Sequence, residues 1–212
     1  KTICTTPVRL ASRLEPMEQT IAVVTHVPRL MPMIMGYAIE NVYIQQCYNT
    51  GTIDGIYYLG GIMGRAAYGL TIENCYNAGD VLKKSNNANH YVGGILGIKG
   101  SDTTDSPYKG EVLIRNCYNV GKSGYGIASG KNKDNFKNTY VYENCYYLNT
   151  ASDGDYKDSQ KESKRAKAKS ADDMRKQSTY SGFDSGAWGF AEGVHPPYLE
   201  NTNAVSQQPL KK

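Results

Sequence analysis

The chain has 212 residues and a formal net charge of +4, with 22 Gly and 18 Tyr against 3 Phe and 1 Trp. That length permits one domain with a real core, or one domain plus an appendage, and the composition argues against a helical bundle. Residues 157–176, "KDSQKESKRAKAKSADDMRK", hold eight Lys or Arg and four Asp or Glu, so the charge excess belongs to a solvated linker or helix face; a basic nucleic-acid-binding face on the folded body is not expected.

Residues 1–36 carry no repeated phrase. "IAVVTHV" at 21–27 is too short and badly flanked for a signal peptide, and the chain starts at Lys1, so a fragment or processed form of a longer chain is expected. "HVPRLMPMIMG", with Pro28 and Pro32, reads equally as a cap, as a junction from a preceding domain, or as sequence outside the fold. No run of 18 apolar residues occurs, so no membrane-spanning helix is expected.

From residue 37 to 150 the chain repeats itself. "IQQCYNTGTI" (44–53), "IENCYNAGDV" (72–81), "IRNCYNVGKS" (114–123) and "YENCYYLNTA" (142–151) are four copies of one phrase. Cys47, Cys75, Cys117 and Cys145 fall at spacings of 28, 42 and 28. Between them stand "YLGGIMG" (58–64), "YVGGILG" (91–97) and a weaker "GYGIASG" (124–130), whose Gly61, Gly94 and Gly126 correspond. The long middle spacing is taken up by the polar stretches 83–90 and 98–110, which read as loop insertions.

Each phrase has the β-branched and aromatic content of a short strand. Ile72 and Cys75 are three apart, so both face inward only if the chain bends between them. Asn74, Asn116 and Asn144 recur there, and Asn tolerates the left-handed backbone that such a corner needs; Gln46 is the exception. Gly51, Gly79 and Gly121 mark a further turn. Short strands, corners and a 28-residue unit predict an all-β fold, a parallel β-solenoid with copies stacked in register about 4.8 Å apart.

The stacked cysteines read as a ladder of buried free thiols, with strained disulfides as the competing reading and Cys4 leaving an odd count. Their wide spacing does not suit zinc, so no metal is expected. Tyr48, Tyr76, Tyr118 and Tyr146 each follow an inward cysteine, and alternation predicts that they face outward. There they either stiffen the stack or offer a platform to sugar rings or a protein partner.

Past residue 150, Ser170 with Asp173 three residues on reads as a helix start. Phe183, Trp188, Phe190 and Tyr198 then cover the open end of the stack, residues 151–200 forming a cap and 201–212 a tail.

"GGIMG" and "GGILG", each followed by a strand and "xNCYNxG", resemble the GLUG-motif repeats of bacterial surface and secreted proteins. The finish, "NCYYL", a polar stretch, "SADDM", a Trp and "PYL", also resembles the end of such arrays. The resemblance implies an extended, adhesin-like solenoid from an exported protein, working outside the cell or at its surface and lying in some relatives beside IgA-cleaving metallopeptidase domains. It implies display, adhesion or binding of a glycan or a surface protein rather than catalysis.

The residues themselves offer no catalytic constellation. His26, His90 and His195 lack the H-E-x-x-H context, there is no G-x-S-x-G, and "GGIMG" lacks the spacing of a nucleotide-binding loop, so no cofactor is expected. A carbohydrate-active β-helix enzyme is the alternative, since it shares the fold but generally needs clustered carboxylates and a basic residue on one face. Gln45, Glu73, Arg115 and Glu143 form one predicted outer column, more simply a row of surface ion pairs, and Asp102 and Asp105 read as solvated turn residues. A purely structural spacer is the third possibility.

Overall fold

The computed structural model describes residues 42–66, 69–84, 91–99, 111–129, 140–152, 166–183, 186–190 and 197–199, with the backbone of 2–4, 20–21 and 35–38. Most of the predicted insertions, Asp102, Asp105, the three histidines, most of residues 1–36 and the tail lie outside the described residues.

The described chain is mostly β-strand, with one short α-helix. Three strands precede the repeats: β1 (Thr2–Cys4), β2 (Thr20–Ile21) and β3 (Met35–Ala38). The first copy supplies β4 (Val42–Gln45), β5 (Cys47–Asn49), β6 (Ile53–Gly55), β7 (Leu59–Gly60) and β8 (Met63–Ala66). The second supplies β9 (Leu70–Glu73), β10 (Tyr76–Asn77), β11 (Val81–Lys83), β12 (Val92–Gly93) and β13 (Leu96–Lys99). The third and fourth run through longer strands, β14 (Val112–Asn119) and β15 (Tyr140–Leu148).

Corresponding strands of neighbouring copies pair in parallel and in register. Ile44, Ile72, Ile114 and Tyr142 share one column, and Tyr48, Tyr76, Tyr118 and Tyr146 another. β6 pairs β11, β7 pairs β12, and β8 lies between β3 and β13. The identical phrases therefore place identical side chains on top of one another, which is why the sequence repeats them.

The bend predicted between Ile72 and Cys75 is present in all four copies. Asn74, Asn116 and Asn144 have φ of 51°, 50° and 50°, and Gln46 takes the same left-handed conformation at 51°. Ile44, Ile72, Ile114, Cys75 and Cys117 are thereby turned fully inward with Ile62, Ile95 and Ile127. In the second, third and fourth copies the thiol donates to the carbonyl two residues back, Cys75 Sγ to Glu73 O at 3.2 Å, Cys117 Sγ to Arg115 O at 3.1 Å and Cys145 Sγ to Glu143 O at 3.4 Å. A small apolar residue with a weak donor suits this slot.

The asparagine after the tyrosine in the first three copies, Asn49, Asn77 and Asn119, is buried too. Asn49 Nδ2 donates to Asn77 Oδ1 at 2.8 Å, and Asn77 Nδ2 donates to Asn119 Oδ1 at 2.7 Å. Each amide also donates to the carbonyl of Gly51, Gly79 or Gly121 two residues on, so the ladder ties the turn to the stack.

After the repeats, β16 (Lys167–Lys169) adds in parallel to Tyr146–Leu148 of β15 and pairs that outer edge. The helix α1 (Ala171–Met174) follows, with Ser170 as its N-cap accepting from Asp173 N at 3.1 Å, as its sequence predicts. A 3-10 turn (Gln177–Tyr180) and the antiparallel pair β17 (Trp188–Gly189) and β18 (Tyr198–Leu199) complete the segment.

Candidate functional site

The tyrosine column is the first sequence-predicted site, and its expected outward exposure is corrected. Tyr48, Tyr76, Tyr118 and Tyr146 are 0%, 1%, 3% and 7% exposed. Their rings stack between copies, at 5.0 Å for Tyr48–Tyr76 and 4.9 Å for Tyr76–Tyr118. The C-terminal segment lies over them: Trp188 sits 6.1 Å from Tyr76 and 5.8 Å from Tyr118, and Phe183 sits 6.0 Å from Tyr146. Tyr118 Oη donates to Pro197 O at 2.6 Å. Phe183 and Trp188 therefore cover a flank of the stack, not its open end, and Phe190 packs partly buried against the same cluster. The physical reason is that alternation turns the tyrosines away from the inner core, while a distant aromatic segment supplies a second core for them. Burial pushes the Tyr76, Tyr118 and Tyr180 phenols well above their usual range.

The cysteines divide. Cys75, Cys117 and Cys145 are buried free thiols, and burial pushes the Cys117 thiol well above its ordinary value. Cys47 is disulfide-bonded, which corrects the expectation of a free thiol there. In the backbone register it stands opposite Cys4, on an antiparallel strand rather than a parallel neighbour. The parallel in-register geometry that disfavours a bridge within the ladder does not apply across that pair.

Gly61, Gly94 and Gly126 are needed for room between copies, not for a left-handed backbone. A Cβ on Gly61 would lie 2.3 Å from Gly94 O and 2.4 Å from Asn77 Cγ; one on Gly94 would lie 2.2 Å from Gly126 O and 2.3 Å from Asn119 Cγ. In the fourth copy Tyr147 replaces the ladder asparagine, and a Cβ on Gly126 would meet its ring at 2.3 Å.

The predicted outer column Gln45, Glu73, Arg115, Glu143 is present in register. Arg115 Nη2 donates to Glu73 Oε2 at 2.8 Å, and Tyr43 Oη bonds both Glu73 and Gln45. Partial burial, helped by the Glu73 hydrogen bond, pushes the Tyr43 phenol up to about 12, while that carboxylate holds the Arg115 guanidinium in its charged form. A phenol so raised stays protonated at neutral pH and is a poor general base, so the cluster works as a partly buried ion pair with its hydrogen bonds. Among the described residues no group of three or more His, Cys, Asp or Glu is placed to hold a metal ion.

A feature the sequence reasoning missed lies at the corners between the two repeated phrases. Of the four large apolar residues most exposed among those described, Ile56, Tyr57 and Leu82 stand there, and Tyr125 stands at the start of the third copy's second phrase. Tyr58 stacks on Tyr91 at 5.7 Å, with the Arg65 guanidinium 4.7 Å from the Tyr58 ring. Beneath the second corner runs an open groove of about 690 Å³, whose lining includes Val81, Leu82, Lys83, Val92, Lys122 and Tyr125. The available signal was the uneven spacing of glycines: nine residues separate Gly51 from Gly61, fourteen Gly79 from Gly94, and four Gly121 from Gly126.

No protein-family model and no curated protein sequence matches the chain. Among solved structures, the chain is similar to a protein of Bacteroides ovatus named as a candidate immunoglobulin A1 protease, at 21% identity with a TM-score of 0.44. The match covers 76% of this chain and 49% of that one, so the chain spans about half the length of the protein it resembles.

Proposed function

We propose that this chain is a β-solenoid segment of an exported bacterial surface protein of the GLUG-repeat kind, and that it displays a binding surface rather than catalysing a reaction. One observation carries the reading: the repeated residues are consumed by architecture. Isoleucine and cysteine fill the interior, asparagine ties the turns, and tyrosine is covered by the C-terminal segment. Among the described residues, what remains for contact is the non-repeated corner surface, where the exposed apolar side chains gather.

The parallel sheets β4–β9–β14–β15, β6–β11, β7–β12 and β3–β8–β13 are the faces of this solenoid, each copy contributing one strand to the faces it reaches. A disulfide at Cys47 suits an oxidising compartment, which supports export. The ligand in this reading is a glycan or a protein of the host or the environment.

The test is affinity electrophoresis of the chain through host and plant polysaccharides with calcium present, each glycan checked for chain scission, beside small-angle scattering for an elongated particle. Retention or passage without scission in an elongated particle supports a display segment. Scission of any glycan overturns it in favour of a carbohydrate-active module.

A further inference from the structure

The corner segments are unequal, and the inequality builds a site. The first two corners are layered one on the other, with Ile53, Asp54 and Gly55 of β6 paired to Val81, Leu82 and Lys83 of β11. The third copy takes a shorter route: four residues join Gly121 to Gly126, and a Cβ on Gly124 would sit 3.1 Å from Val92 O. The second corner therefore overhangs. On its underside β11 makes one backbone hydrogen bond, Val81 N to Lys122 O at 2.7 Å, and among the described residues no strand lies beside Leu82 and Lys83 there.

We propose that this groove binds an extended acidic peptide, which adds as a further strand to the edge of β11 that no described strand pairs. A strand placed about 4.8 Å from β11 lies in the layer where, among the described residues, the shortened third corner offers no strand to Leu82 and Lys83, above Thr150, Ala151 and Ser152. An unpaired edge offers backbone donors and acceptors to such a segment, and pockets for alternate side chains supply the selectivity. Val81 and Val92 form a buried apolar floor, while Leu82 and Tyr125 are 40% and 37% exposed beside it. These take one alternate set of peptide side chains.

Charge selects the other set. Lys83 and Lys122 line the groove, and neither ammonium is ion-paired among the described residues, whereas the neighbouring Lys84 is held by Asp54 at 2.9 Å. The Asp80 carboxylate accepts from the Lys122 backbone N–H at 2.9 Å, which leaves the two side-chain ammoniums beside the strand edge to suit a peptide with carboxylates at alternate positions. A sugar chain would use the Tyr125 ring and the lysines but would leave the strand edge unread.

The proposal deepens the display reading by naming its partner's chemistry. The two fail separately, since glycan scission would overturn display while leaving peptide binding at β11 intact. The test is fluorescence anisotropy of the full chain with labelled octapeptides that alternate glutamate with valine, leucine or phenylalanine. The expected result is saturable binding that weakens at least about tenfold when alternate peptide nitrogens are methylated, because the edge hydrogen bonds are lost. Lys83→Gln and Lys122→Gln, both at exposed positions, each weaken it by about threefold or more. No saturation below about 1 mM, or undiminished affinity for the methylated peptides or for control octapeptides with lysine in place of glutamate, overturns the proposal. So does an oligogalacturonate that binds this groove when the acidic peptides do not.

Discussion

Trp188 donates its indole N–H to Asn74 Oδ1 at 3.0 Å, a bond that spans 114 residues of chain. It joins the C-terminal segment to a corner of the second copy, well inside the stack. The aromatic flank is thus locked to the repeats by polar contact as well as by ring packing.

Removing Trp188 opens the tyrosine column. Trp188→Ala is expected to cost about 3–5 kcal/mol from lost burial and a residual cavity. Trp188→Phe keeps most of the packing, orphans Asn74 Oδ1, and costs about 1–3 kcal/mol. Urea unfolding followed by tyrosine fluorescence checks both values: equal midpoints for the two variants would exclude ring packing as a contributor, and a Trp188→Phe midpoint equal to the parent's would exclude the hydrogen bond.

Two glycines, the recurring Gly94 and the non-recurring Gly124, separate a tight spatial need from a loose one. Gly94→Ala drives a Cβ to 2.2 Å from the backbone oxygen of Gly126, which cannot yield cheaply, so a loss above about 3 kcal/mol is expected. Gly124→Ala meets Val92 O at 3.1 Å and the Val92 Cβ at 3.4 Å, and is expected to cost about 1 kcal/mol or less. Thermal melts of the two variants check the ranking, and a Gly94→Ala protein as stable as the parent would contradict the close layering.

Gln46 sits at φ 51° in the place where the other copies use asparagine. That conformation carries a steric cost for any residue with a Cβ, whereas glycine adopts it without one. Gln46→Gly is expected to raise stability by about 0.5–1 kcal/mol, and Asn116→Ala to lower it by about 1–2 kcal/mol because Asn144 also loses its acceptor. Chemical denaturation midpoints check both signs.

Alkali should unfold the protein before it would a typical domain. The Cys117 thiol and the Tyr76, Tyr118 and Tyr180 phenols are raised in the fold by burial, so the fold favours their protonated forms. Their contribution is fully present below the unfolded pKa values, about 8.5 for a thiol and about 10 for a phenol, and is lost as pH rises from there toward the folded values. Urea midpoints are therefore expected to be flat from pH 7 to 8 and to fall steeply above about 10. Ellman's reagent should leave Cys75, Cys117 and Cys145 unmodified until the chain unfolds, and rapid native labelling of any of them would contradict their burial.

The recurrence of isoleucine, asparagine and cysteine in "IENCYN" carried the register, the inward face and the left-handed corner, because these are local: a strand's alternation and a residue's φ preference follow from its neighbours. The pairing of Glu73 with Arg115 was legible for the same reason, since stacking in register turns equal positions into contacts. Burial of the tyrosines was not legible. Alternation puts Tyr76 on the outer face, and only Trp188, folding back from 112 residues away, converts that face into a second core. Nor did a single copy reveal that Asn77 would be enclosed between Asn49 and Asn119, or that Cys47 would be bonded while its three counterparts stay free. The groove under β11 likewise arises from the difference between neighbouring corners. Sequence periodicity decides what each copy presents; tertiary structure decides what covers it, because coverage depends on segments whose contacts are long-range and whose spacing breaks the period.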